Sequence, residues 1–111
     1  MRIVKGSRVI AEEAWEARTL WSRLIGLIGR RDFPPGSALI IPRCNHIHTF
    51  GMSFPIDVLF VNADNTVLAG ESLRPWRISK RCPGASKVIE LPPGAIAEYG
   101  IQAGDEISLS D

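Results

Sequence analysis

Six residues, Ile56-Asp57-Val58-Leu59-Phe60-Val61, constrain this chain more than any others. Apart from Asp57 they are apolar, and most are β-branched or aromatic, the composition of a strand. Pro55 limits pairing on the near side, and the polar run Asn62-Ala63-Asp64-Asn65 reads as a turn. Thr66-Val67-Leu68-Ala69-Gly70 then returns against the first strand as an antiparallel hairpin.

The segments around this hairpin are short and punctuated by glycine and proline. Arg8-Val9-Ile10-Ala11-Glu12 follows Gly6-Ser7, so a hairpin near Gly6 is expected. Ala38-Leu39-Ile40-Ile41 reads as a buried strand ended by Pro42, and Cys44 to His48 as extended. Ser86 to Leu91 is a strand stopped by Pro92-Pro93-Gly94, and Glu106-Ile107-Ser108-Leu109 alternates as a terminal strand. Ala95 to Tyr99 reads as one helical turn closed by Gly100. The best helical periodicity lies over residues 19–29, where Leu20, Leu24, Leu27 and Ile28 fall on one stripe. Short strands with one helix predict a single mainly β domain over residues 1–111, a jelly-roll-like sandwich or barrel with a short α-helix packed on the sheet.

Composition excludes several functions. The chain has 111 residues, 45% of them hydrophobic and 23% charged, which is globular rather than disordered composition. A net charge of +1 gives no bulk field and argues against nucleic acid as a partner. No apolar run approaches the roughly 18 residues of a membrane span. The charged start Met1-Arg2-Ile3-Val4-Lys5 does not resemble a signal peptide, so a cytoplasmic protein is expected. Two cysteines are too few for a disulfide scaffold, and reduced thiols are expected, although a Cys44–Cys82 bridge stays open.

Several motifs are shared with a known family. They are Gly26-Leu27 with the arginine that follows, His48-Thr49-Phe50-Gly51-Met52, Pro55-Ile56-Asp57-Val58-Leu59-Phe60, Leu73-Arg74-Pro75, Glu90-Leu91-Pro92-Pro93-Gly94 and Gly100-Ile101-Gln102-Ala103-Gly104-Asp105. In these, and in their order along nearly the whole chain, the sequence resembles the family called domain of unknown function 192. The resemblance implies a small mainly β domain of sandwich type from bacteria or archaea. It implies no reaction, because that family carries no established activity.

Four candidate chemistries follow from the residues. Cys44, His46 and His48 alternate along an extended segment and would share one face, a thiolate and two imidazoles suited to zinc, with Asp57 or Cys82 as a fourth ligand. Cys44 or Cys82 could act as a nucleophile with a histidine as base, Cys82 being flanked by Lys80 and Arg81. A binding cleft for an unidentified small molecule or protein is predicted where His48, Thr49, Met52, Asp57, Pro75 and Glu90 meet the loop carrying Arg74 and Trp76. For Asp57 the competing role is structural, capping backbone N–H groups or pairing with Arg43 or Arg74. Finally, Arg74, Arg77, Lys80 and Arg81 surround Trp76, a set that holds phosphate and stacks a base in some proteins and is a solvated loop in most.

A binding module is the favoured function. The alternative is a metal- or thiol-dependent enzyme centred on Cys44, His46, His48 and Asp57. A third class, an interaction or folding-accessory domain, would use the basic loop and an exposed sheet edge.

Overall fold

The computed structural model describes residues 1–17 and 33–110. The helix expected over residues 19–29, with its Gly26-Leu27 motif, lies outside them. Among the described residues there are eight strands: β1 (Arg2–Lys5), β2 (Arg8–Ala11), β3 (Glu13–Glu16), β4 (Ser37–Pro42), β5 (Ile56–Val61), β6 (Val67–Leu73), β7 (Lys87–Leu91) and β8 (Ile107–Ser110). One short helix, α1 (Ala95–Tyr99), lies between β7 and β8.

The strands form two sheets, a three-stranded one ordered β2-β1-β8 and a five-stranded one ordered β3-β4-β7-β5-β6. All pairings are antiparallel except β3 with β4. The hairpins expected at Gly6 and at Asn62–Asn65 are both present, and β6 runs on to Leu73. The mainly β architecture expected of the sequence is therefore the observed one.

Every residue of β5 is buried. Side chains alternate across a strand, so two separate cores are required. Leu59 and Val61 enter the layer between the sheets, with Ile3, Ile10, Ile89, Leu91 and Ile107. Ile56, Val58 and Phe60 enter the opposite layer, with Ile41, Ile47, Met52, Leu73 and Val88. Each such side chain contributes about 1.5–3 kcal/mol when fully buried. The inter-sheet layer is closed at one corner by Val67 N donating to Asp105 O and Ile107 N donating to Asn65 O.

The second layer is covered by an irregular ribbon. Residues 43–49 run antiparallel to residues 77–86, through Arg43 N to Ser86 O, Cys82 N to Asn45 O, Ser79 N to Ile47 O and Thr49 N to Arg77 O. The expected extended run from Cys44 to His48 is thus only loosely strand-like, with one isolated bridge between His48 and Ile78. Arg43 has a φ of 51°, which breaks the strand where β4 ends.

Asp57 ties the sheet to α1. It is 2% exposed and shares the inter-sheet face with Leu59. Ser72 Oγ donates to its Oδ1 at 2.8 Å, and Ile96 N in the first turn of α1 donates to its Oδ2 at 2.8 Å. The carboxylate thus caps a helix 39 residues away, rather than the adjacent turn or an arginine. Gly70 on β6 lets the helix sit close, since a Cβ there would lie 3.0 Å from Ile96 Cδ1. Asp57→Ala leaves the Ser72 hydroxyl and the Ile96 N–H without their acceptor. It is expected to cost about 2–4 kcal/mol in urea unfolding. Asp57→Asn, which keeps one acceptor oxygen, is expected to cost less; equal stability of both variants with the parent would remove this role.

Candidate functional site

The cover ribbon exposes alternate residues. Ile47 and Thr49 turn inward and are buried, whereas His46, His48 and Phe50 face solvent. His48 stacks on Phe50 with ring centroids 4.8 Å apart, and Phe50 stacks on Trp76 at 6.0 Å. Phe50 N donates to His48 Nδ1 at 3.2 Å, which leaves the proton of a neutral imidazole on Nε2. Phe50 is 40% exposed and Trp76 63% exposed. The three rings form an open aromatic platform, with Arg74 and Arg77 on either side of Trp76 in the chain.

Thr49 holds the platform together. Residues 74–77 form a turn with Pro75 at its second position and Trp76 at its third, where φ is 62°. That third position normally takes glycine in such turns. A turn of this kind often closes by a bond from its fourth N–H to its first carbonyl. Here the Thr49 hydroxyl occupies the mouth instead, donating to Arg74 O at 2.6 Å and accepting from Arg77 N at 2.9 Å. Thr49 O also accepts from Trp76 N at 3.0 Å and from Met52 N at 3.2 Å. The second of these closes the turn carrying Gly51, whose φ is 84°. A β-branched side chain with a restricted χ1 suits this position.

The cleft expected from the sequence is divided among three places. His48, Thr49, Arg74, Pro75 and Trp76 come together at the platform. Met52 is buried in the layer beneath the ribbon. Asp57 lies on the far side of the five-stranded sheet, engaged with Ser72 and α1. Glu90 pairs with Leu39 and Val58, so its side chain enters the same layer as Met52. The expected cleft did not include Phe50, and Arg77 was expected only in the basic set around Trp76. For Phe50, only its outward phase opposite Thr49 marks exposure.

Glu90 is 6% exposed, and burial pushes its carboxyl up to about 7. Neither ion pair found among the described residues involves it. The protonated acid is the form that suits this layer.

The expected zinc ligands do not converge. Among the described residues no group of three or more His, Cys, Asp or Glu side chains is placed to hold a metal. Cys44 Sγ donates to the backbone carbonyl of His46 at 3.0 Å, and His46 Nδ1 lies 3.0 Å from Asn45 Oδ1. His48 is committed to Phe50. Cys44 packs against the buried layer while His46 and His48 face solvent, so the three side chains do not line up. The same bond leaves Cys44 hydrogen-bonded to backbone and not to an imidazole base. Cys44 and Cys82 are both half-buried free thiols, so the bridge left open by the sequence is not formed.

Two outcomes follow. Thr49→Val removes the hydroxyl from the mouth of the turn and is expected to destabilise the fold by about 1–3 kcal/mol. Amide exchange should then speed up at Trp76 and Arg77 more than in β5, and Thr49→Ser should restore most of the loss. For Glu90, the folded state holds a proton between pH about 4.5 and about 7 that the unfolded state has released. Its contribution is therefore complete below about 4.5 and is lost as pH rises through about 7. Stability should fall by about 3 kcal/mol across that window. Thermal unfolding of Glu90→Gln should show a flatter pH profile and greater stability than the parent on the alkaline side; parallel profiles would contradict this.

Comparison with known proteins places the chain. The profile of the DUF192 family, described as Uncharacterized ACR, matches residues 2–109. A UPF0127 protein of Pyrococcus abyssi is 39% identical over 79 residues, covering 66% of this chain and 68% of that one. A UPF0127 protein of Thermococcus sibiricus is 35% identical over 95 residues, covering 82% of this chain and 62% of that one. Among solved structures, one described as a putative transcription regulator from Sinorhizobium meliloti superposes with a TM-score of 0.80 at 22% identity, over 96% of this chain and 89% of that one. A protein of unknown function from Novosphingobium aromaticivorans gives 0.79 at 22% identity, over 97% and 84%. At that identity the two structures share the fold and nothing finer. With its motifs in order and the profile matching residues 2–109, the chain belongs to the uncharacterised DUF192 family.

Proposed function

We propose that this protein is a binding module whose recognition surface is the His48–Phe50–Trp76 platform. Its ligands combine a flat π-face with negative charge. One observation carries the reading: Trp76 is the most exposed of the large apolar side chains in the described residues, and it sits at a backbone position that disfavours it. A left-handed φ costs an L-residue with a side chain about 1–2 kcal/mol. Asparagine or glycine would serve the turn without that cost. The ring contact of Trp76 with Phe50 still leaves it 63% exposed, and such strain concentrates at functional positions. The flanking arginines supply charge and planar guanidinium groups for the same ligand.

Adenosine 5′-monophosphate is a suitable probe, having one flat base and one phosphate. In a titration followed by amide chemical shifts, changes should concentrate at residues 48–52 and 74–78. Trp76→Asn should abolish the response while leaving the protein at least as stable as the parent, by up to about 1–2 kcal/mol, because the side chain is exposed and asparagine relieves the strain of the turn. Shifts confined to other regions, or an undiminished response in Trp76→Asn, would show that the platform is not the recognition surface.

A further inference from the structure

The net charge of +1 conceals an asymmetry across the five-stranded sheet. Its two edges are β3 and β6. The β3 edge carries exposed Glu13 and Glu16, with Glu12 just before them. Beside β6 runs the loop bearing Arg74, Arg77, Lys80 and Arg81, all exposed. The β3 edge is therefore acidic, with Glu12 paired to Arg2, and the loop beside β6 is basic.

The basic edge is also shaped. Two open depressions lie along β6. One, of about 350 Å³, is bordered by Ser72, Leu73, Arg74, Arg77 and Ile78. The other, of about 340 Å³, is bordered by Phe60, Ala69, Gly70, Lys80, Arg81 and Cys82. Glu71 borders both and is the acidic group on this strip; its Oε2 accepts from Lys80 N at 3.3 Å. The aromatic platform stands beside the first depression, where Trp76 and Arg77 adjoin in the chain. Seven residue steps separate Arg74 from Arg81, so the cations are spread over at most about 25 Å. Arg74 and Arg77 border the first depression and Lys80 and Arg81 the second, so the four cations are set out in order along β6.

A row of cations leading from an exposed aromatic platform fits an extended polyanion with flat faces. A single small anion would need convergent donors. A duplex keeps its base faces stacked inside, and an acidic peptide has charge without a π-face at each unit. We infer that this edge binds single-stranded nucleic acid, with a base stacked on Trp76 and the backbone phosphates following Arg74, Arg77, Lys80 and Arg81. The inference rests on the platform being the recognition surface and adds the ligand class. Stacking of bases on aromatic side chains, combined with a cationic track, is the sequence-tolerant mode of single-strand binding.

The test is fluorescence anisotropy of a labelled mixed-sequence 12-nucleotide RNA with the full chain, at several salt concentrations. Four phosphate contacts predict a slope of log K against log salt of about −3, and Arg74→Gln with Arg77→Gln should halve it. Trp76→Asn should weaken binding about 5- to 150-fold at every salt concentration, leaving the slope unchanged. The same sequence as a duplex should bind more weakly than the single strand. RNA binding that is absent, indifferent to Trp76 or equal for the duplex overturns the inference, as does a Trp76-dependent affinity for polyglutamate matching that for RNA. Adenosine monophosphate binding at the platform without RNA binding would overturn the ligand class alone. No response to either probe would overturn the platform reading with it.

Discussion

Strand β5 has no solvent side, and the rest of the molecule is arranged to cover both of its faces. Six consecutive buried residues on a pleated strand demand apolar partners above and below. The three-stranded sheet and α1 supply one layer, and the ribbon of residues 43–54 and 74–86 supplies the other. The first cover is regular because strands of a second sheet build it. The second is irregular, so its backbone groups find partners through turns and through side chains such as Thr49 and Ser79.

The two buried carboxyl groups show how differently a polar side chain is accommodated beside such a strand. Asp57 faces the inter-sheet layer and has a hydrogen-bond donor on each oxygen, so both acceptors are satisfied there. Glu90 faces the other layer, between Leu39 and Val58, where burial favours the neutral acid. The irregular cover has a further consequence. A ribbon whose inward residues are Ile47 and Thr49 necessarily displays His48 and Phe50. The Thr49 hydroxyl then sets the position of the Arg74–Arg77 turn and brings Trp76 alongside them.

Much of the fold was legible because it is local. The β5 strand, the turn at Asn62–Asn65, the hairpin at Gly6 and the single turn of α1 each follow from periodicity and from turn residues acting within a few positions. The site was legible only in part. His48, Thr49, Arg74, Pro75 and Trp76 were recognisable as a group because they lie in two motifs that meet. The zinc arrangement failed because Cys44 packs against the buried layer while His46 and His48 face solvent. Phe50 was not expected at the cleft because a phenylalanine has no local mark of exposure.

Alone, the sequence determined a mainly β chain, the bounds of its strongest strands and the concentration of chemistry-bearing residues between Cys44 and Trp76, since propensity, turn chemistry and composition are properties of neighbouring residues. Only the tertiary structure decided which carboxyl is engaged and which burial pushes toward the neutral acid, that the thiols and imidazoles stay apart, and that an acidic strand and a basic loop lie at opposite edges of one sheet. Those outcomes depend on which face of which strand meets which distant segment, and contacts such as Asp57 with Ile96 span 39 residues that no local pattern encodes.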